Sequence, residues 1–184
     1  MKKIVISVLG TDRPGIVSAV SRILFENSCN IEDVSQTILQ TEFTGIFIAS
    51  IPEVLRPDDL LMQLQTNLET LGLHLMVKPL EATDQLPTLP VSEPFVITTT
   101  GPDRLGLVAA ITGVIAEFGA NITNLRAAFR GGDDPCRNTM IYEVDVPAST
   151  DLQSFRKALG ERAKKLRLEL SLQHRDIFEA IHRI

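Results

Sequence analysis

The sequence lacks the segments that direct a chain into or across a membrane. No apolar run approaches the roughly 20 residues needed to span a bilayer, and no charged-then-apolar leader precedes the first predicted strand. The 18 lysine and arginine residues are outnumbered by 23 aspartate and glutamate residues, which gives a net charge of −5. An acidic chain disfavours direct binding to nucleic acid, where a basic face is expected. We therefore expect a cytoplasmic protein that binds neither membranes nor nucleic acid.

Cysteine and histidine are scarce as well, with two and three residues. Cys29 and Cys136 occupy non-equivalent positions in the two halves of the chain, so neither half holds a disulfide pair and free thiols are expected. His74, His174 and His182 have no acid or nucleophile partner at the spacing of a catalytic or metal-binding motif. The sequence thus predicts no catalytic residues, no metal site and no cofactor.

What the chain does contain is an internal repeat. Gly10-Thr11-Asp12-Arg13-Pro14-Gly15-Ile16-Val17 returns 91 residues later as Gly101-Pro102-Asp103-Arg104-Leu105-Gly106-Leu107-Val108. The alignment covers 34 positions without a gap, and 11 of them are identical. A repeat of this length is too long for a solenoid unit and suits a small domain. We conclude that the chain is a duplicated module.

Apolar periodicity predicts the order strand, helix, strand, strand, helix, strand in each half. The predicted strands are 3–9, 31–40, 43–51 and 73–79, then 95–100, 122–130, 139–146 and 167–173. A turn is expected at 41–44, and glycines at 72 and 119 are expected to end helices. A further short helix is predicted over 175–184.

Each half is therefore a split βαβ unit, which is the ferredoxin-like βαββαβ arrangement of the α+β class. We expect two tandem domains, 1–80 and 94–174, each with an antiparallel sheet covered by two helices on one face. Residues 81–93 are predicted to form a Pro-containing linker, and 175–184 the short C-terminal helix. Strand 46–51 is apolar on both alternating faces, which predicts burial on both sides by a partner sheet or domain.

The repeated Gly-x-Asp-Arg-x-Gly turn links the first strand of each half to its first helix, and it is the first candidate site. Glycine permits close backbone approach, and a helix N-terminus offers unpaired N–H groups to a carboxylate. Asp12 and Asp103 stand where an N-cap belongs, although an aspartate here could instead hold an ammonium group. Arg13 and Arg104 face either an anion or solvent. The turn lacks the Gly-Lys-Ser/Thr ending of a phosphate loop.

A second repeated element follows the first helix of each half. Asn30-Ile31 in the first half matches Asn121-Ile122 in the second. An asparagine here is either a turn residue with left-handed geometry or a group that can bind an amino acid's amine and carboxylate.

The turn from Gly10 to Val17, together with Asn30-Ile31-Glu32-Asp33, resembles tandem proteins of the ACT-domain family. It is similar to the subgroup that includes glycine cleavage system transcriptional repressors and the N-terminal domain of formyltetrahydrofolate deformylases. The resemblance covers both halves and implies ACT modules that pair their sheets, often across a dimer, with amino acids bound at the interface. The ligand-binding residues that it implies are Gly10, Asp12, Arg13, Gly15 and Asn30, with Gly101, Asp103, Arg104, Gly106 and Asn121 in the second copy.

The two copies differ from the family and from each other. Serine-binding ACT modules carry asparagine where Asp12 and Asp103 stand. In the second copy Leu105 replaces Pro14, and residues 131–137 are inserted between the middle strands. The copies need not bind equally, and if one binds alone we expect it to be the first.

The resemblance implies a non-catalytic regulatory protein, expected to be a homodimer, that binds a small amino acid, glycine among the candidates. It would modulate a protein partner, either a transcription factor or a metabolic enzyme. One alternative is an interaction module with no small-molecule ligand. The other is an enzyme of the formyltetrahydrofolate deformylase type, which would need a catalytic domain where the second module stands.

Overall fold

The computed structural model describes residues 2–80, 91–128 and 138–182. The chain divides into two compact units, Met1–Gln85 and Leu86–Ile184. Most of the predicted linker, the insertion at 131–137 and Cys136 lie outside the described residues. Ser92 already begins a strand, two residues before the expected start of the second domain.

The first unit follows the predicted order. Its elements are β1 (Lys2–Thr11), α1 (Ile16–Glu26), β2 (Asn30–Leu39), β3 (Glu42–Ile51), α2 (Pro57–Leu68) and β4 (His74–Pro79). A 3₁₀ turn over Glu69–Leu71 extends α2, and Gly72 ends it with a φ of 61°. The turn between β2 and β3 occupies only Gln40 and Thr41, because β3 pairs with β2 from Glu42 onward. The predicted turn at 41–44 was therefore wrong in length.

The second unit repeats the order and adds one helix. Its elements are β5 (Ser92–Gly101), α3 (Leu107–Glu117), β6 (Asn121–Ala128), β7 (Asn138–Pro147), α4 (Leu152–Lys165), β8 (Glu169–His174) and α5 (Arg175–His182). Asp151 caps α4 by accepting a hydrogen bond from the Gln153 N–H at 3.1 Å. No helix in these described ranges is long and apolar enough to cross a membrane.

Each unit contains one four-stranded sheet. The strand orders are β2-β3-β1-β4 and β6-β7-β5-β8, and all of these pairs are antiparallel. This confirms the predicted fold class, two tandem ferredoxin-like modules with a short additional helix. In both units the first strand is central, so the turn that follows it leaves from the middle of the sheet.

The core of each unit lies between one face of the sheet and two helices. Successive strand residues alternate between buried and more exposed positions, as the two-residue period of a strand requires. In the first unit the buried strand residues include Ile4, Ile6, Val8, Phe43 and Phe47. In the second unit Tyr142 is fully buried, its hydroxyl donates to Met140 Sδ at 3.3 Å, and burial raises its pKa to about 12.

The sheet face that points away from the core differs in exposure between the two units. In the first unit Leu9 and Ile46 on this face are both 46% exposed within the single chain, so the burial of strand 46–51 by a partner sheet or domain stays a prediction. In the second unit Val96 is only 3% exposed. There α5 packs against β5 and β8, and Arg175 lies 3.8 Å from a Glu143 carboxylate oxygen.

Candidate functional site: the two strand-to-helix turns

The backbone of the repeated turn is set by its second glycine. Gly15 and Gly106 are the N-cap residues of α1 and α3, with φ values of 99° and 84°, and neither helix has a side-chain cap. The predicted capping by Asp12 and Asp103 was therefore wrong, because each aspartate lies three residues before the true N-cap. The first amides of α1 and α3 consequently have no side-chain acceptor.

Replacing Gly106 by alanine should lower the free energy of unfolding by about 1–2 kcal/mol, because an L-residue is strained at this positive φ. No atom lies within 4 Å of the position that the new Cβ would take, so the loss arises from the backbone angle alone. Urea denaturation of Gly106→Ala measures it.

Gly113, in the interior of the same helix, supplies the matched control. Its Cβ position is also open, and its φ is not in the left-handed region. Gly113→Ala should raise stability by about 0.5–1 kcal/mol through helix propensity. Equal effects of the two substitutions would contradict this account of the turn.

The first glycine of each turn has a packing role. A Cβ on Gly10 would lie 2.8 Å from Leu73 Cδ2, and one on Gly101 would lie 2.8 Å from Leu168 Cδ2. Gly101 also approaches the carbonyl oxygen of Arg167, 2.9 Å from the same Cβ position. These glycines let the chain entering β4 or β8 pass close to the end of the central strand.

The charged residues of the first turn point to solvent. Asp12 and Arg13 are exposed, and their side chains form no hydrogen bond or ion pair within the described part of the chain. The backbone N–H of Asp12 donates to the Thr41 carbonyl at 2.7 Å, which ties the turn to the hairpin between β2 and β3. A backbone hydrogen bond thus holds the first turn in place, and the Asp12 carboxylate is exposed at its surface. Arg104 of the second turn is exposed in the same way.

The carboxylate of the second turn has a partner that the sequence did not predict. Asn138 Nδ2 donates to Asp103 Oδ1 at 3.4 Å. Asn138 is only 4% exposed, and its Oδ1 has no hydrogen-bond partner among the described residues. The strand register shows the correspondence, since Asn138 pairs with Gly101 as Phe43 pairs with Gly10. The insertion just before β7 hid that correspondence.

The second turn also forms a concavity of about 510 Å³. Its lining is a continuous segment, Asp103, Arg104, Leu105, Gly106, Leu107, Val108 and Ala109. The lining therefore includes both an acidic residue, Asp103, and the uncapped start of α3. A ligand with a cationic and an anionic end fits this arrangement, because the helix start carries partial positive charge.

The two asparagines of the internal repeat, Asn30 and Asn121, do not lie close to the turn of their own unit. In the second unit Asn121 pairs with Asp145, which pairs with Pro94, whereas the turn begins at Gly101. Seven residues along β5 separate the two positions, about 23 Å in a strand. Asn30 is related to Gly10 in the same way through Ser50 and Lys3. Within each unit, asparagine and turn lie at opposite ends of the sheet.

Each asparagine instead precedes a β-bulge. The register of β2 shifts between Ile31 and Asp33, and that of β6 between Ile122 and Asn124. Left-handed geometry lies two residues before each asparagine, at Ser28 with φ 55° and at Gly119 with φ 68°. The interpretation of Asn30 as a left-handed turn residue was therefore wrong. Asn121 borders a second concavity along the flank of α3.

The bulge of the first unit carries a polar cluster. Glu32 lies 2.6 Å from Lys3 Nζ and accepts a hydrogen bond from Ser50 Oγ. The hydrogen bonds from Lys3 and then from Ser50 lower the pKa of the Glu32 carboxyl. This cluster ties β2 to the start of β1. No group of three His, Cys, Asp or Glu side chains in the described ranges is placed to hold a metal ion.

Two ferredoxin-like units, each with a glycine turn between its central strand and first helix, define a class of regulatory domains. The ACT domain profile matches residues 2–78 and 93–173. The chain belongs to the ACT domain family.

Relatives of similar sequence are single modules. A UPF0237 protein of Methanosarcina acetivorans is 37% identical over 94 residues, which are 50% of this chain and 98% of the relative. A UPF0237 protein of Clostridium perfringens is 36% identical over 90 residues, 48% of this chain and 97% of the relative. This chain is therefore about twice as long as either relative, and each relative matches about half of it.

Solved structures of similar fold cover both units. A protein of unknown function from Galdieria sulphuraria has a TM-score of 0.75 at 24% identity, and 94% of this chain covers 98% of that one. A putative glycine cleavage system transcriptional repressor has a TM-score of 0.63 at 24% identity, and the match covers 94% of this chain and 96% of that chain. At this identity the two structures share the fold with this chain.

Proposed function

We propose that this chain is a non-catalytic cytoplasmic regulator that binds a small amino acid at its strand-to-helix turns. The presence of two ACT domains in the chain supports a regulatory role. The observation that carries the ligand class is the second turn, where the Asp103 carboxylate faces a concavity that also contains the uncapped start of α3. The α3 amides would bind the ligand carboxylate, and Asp103 would bind its ammonium group.

Glycine is the first candidate ligand, and a transcription factor or metabolic enzyme is the proposed partner. Support comes from the similar fold of the putative glycine cleavage system transcriptional repressor. Regulation requires that the ligand binds one packing of the modules more tightly than another, since only differential affinity shifts an equilibrium. A pull-down of partner proteins in the presence and absence of glycine tests this part of the proposal.

We further propose that the chain forms a homodimer. The edge strand β2 is exposed along nearly its whole length, with Val34 and Ile38 about half exposed. An exposed edge strand with unpaired backbone groups is a template for pairing with another chain. Sedimentation analysis of the pure protein should give twice the chain mass of 20.3 kDa.

A thermal-shift and calorimetric screen against the proteinogenic amino acids should find at least one small ligand. At a ligand concentration of 100 times Kd, the free energy of unfolding should rise by about 2.7 kcal/mol. Asp103→Asn keeps the shape of the side chain and removes its charge. We expect it to weaken binding by about tenfold or more, because a charge-assisted hydrogen bond to the ammonium is lost.

Two substitutions are matched controls. Asp12→Asn makes the same change in the first turn, and Asn121→Ala alters an exposed residue at the opposite end of the second sheet. Asn121→Ala should leave binding at the second turn unchanged, and comparison with Asp12→Asn measures the share of the first turn. A screen in which no amino acid stabilises the protein would reject ligand binding and favour a pure interaction module.

A further inference from the structure

Asn138 is a buried polar residue in an otherwise apolar position of the fold. It stands at the first residue of β7, opposite Gly101, and its neighbours on the same face of β7, Met140 and Tyr142, are fully buried. Its Nδ2 donates a hydrogen bond to Asp103 Oδ1, while its own Oδ1 is enclosed and has no hydrogen-bond partner among the described residues. An enclosed acceptor without a hydrogen bond destabilises a folded protein.

The first unit shows that the fold does not need a polar residue here. Phe43 occupies the equivalent position opposite Gly10, is 2% exposed and belongs to the first core. The Asp12 side chain accordingly has no side-chain partner within the described ranges, whereas Asp103 is held by an amide. A buried amide directed at the turn is a property of the second copy alone.

We infer that Asn138 is a positioning residue that holds the Asp103 carboxylate toward the concavity of the second turn, where the carboxylate selects ligands that carry an ammonium group. The inference rests on the proposed function and makes the second copy the amine-selective one. Nδ2 donates to Asp103, whereas Oδ1 is enclosed and Asn138 does not itself line the concavity. Because the lining of the concavity includes both Asp103 and the start of α3, the turn is complementary to a zwitterionic α-amino acid.

The test compares each amino acid with the hydroxy acid of the same skeleton. Glycine, alanine and serine are titrated calorimetrically against glycolate, lactate and glycerate, which keep the carboxylate and replace the amine by a hydroxyl. The unaltered protein should bind the amine form at least tenfold more tightly. Asn138→Leu, which removes the amide at similar volume, should reduce that ratio to about one while hydroxy-acid affinity stays within twofold.

A second variant guards against misfolding. Asn138→Phe installs the residue that the first copy tolerates at this position, and it should give the same loss of discrimination. If both variants retain the original ratio, or lose amino acid and hydroxy acid equally, Asn138 is only structural and the inference is overturned. If the unaltered protein binds no amino acid at all, the proposed function fails and the inference fails with it.

Discussion

Replacing Phe47 by alanine should lower the free energy of unfolding of the first unit by about 3–5 kcal/mol. Phe47 is fully buried in the middle of β3, within the cluster that joins the sheet to α1 and α2. Truncation removes the transfer free energy of the ring and leaves a cavity that a close-packed core fills only in part. Urea denaturation followed by far-UV circular dichroism measures the loss.

Phe25 is the matched control because it belongs to the same unit and is 81% exposed. Phe25→Ala should change stability by less than about 0.5 kcal/mol, as surface substitutions usually do. The difference between the two variants isolates burial from the chemistry of the side chain. A Phe47→Ala protein as stable as Phe25→Ala would mean that the first sheet does not pack on its helices as described.

Gly101→Ala should destabilise the second unit by about 1–3 kcal/mol, through overpacking at the end of the central strand. The new Cβ would lie 2.9 Å from the Arg167 carbonyl oxygen, which is backbone and cannot rotate away. Arg167 itself has a φ of 57°, so the segment entering β8 has little freedom to move. Thermal unfolding of the variant measures the effect.

Gly10→Ala makes the same change in the first unit, where the contact is softer. The closest atom is Leu73 Cδ2 at 2.8 Å, the end of a flexible side chain, and the nearest backbone oxygen is 3.4 Å away. Its loss of stability should be smaller than that of Gly101→Ala. The reverse order would contradict this comparison of the two contacts.

The fold could be predicted from the sequence because its signals are local and occur twice. Apolar periodicity located every strand and helix of the described residues, and the glycines at 72 and 119 ended helices as expected. The repeat then fixed the number of modules. Each signal depends on neighbouring residues, so no long-range contact had to be known.

The arrangement of the site could be predicted only in part. The turn between β1 and α1 was predicted, and the resemblance assigned Asn30 and Asp12 to one interface site, which stays a prediction. Within the first unit the structure separates these two residues. A strand followed by a returning helix brings the next strand back to the end where the first began. Asn30 and Lys3 therefore pair with the same residue of β3, Ser50, at the end of the sheet opposite Gly10. Asn138 was missed because a buried polar position is visible only when the strand register is known.

The β-bulges of β2 and β6 occupy equivalent positions in the two copies. Both copies insert one extra residue two positions after the asparagine, yet that residue is Glu32 in one and Thr123 in the other. The two copies therefore share the bulge and differ in the side chain that it carries. Because a strand alternates faces, deleting either residue would turn the rest of its edge strand over. In both copies the bulge thus determines which side chains of the edge strand face the helices.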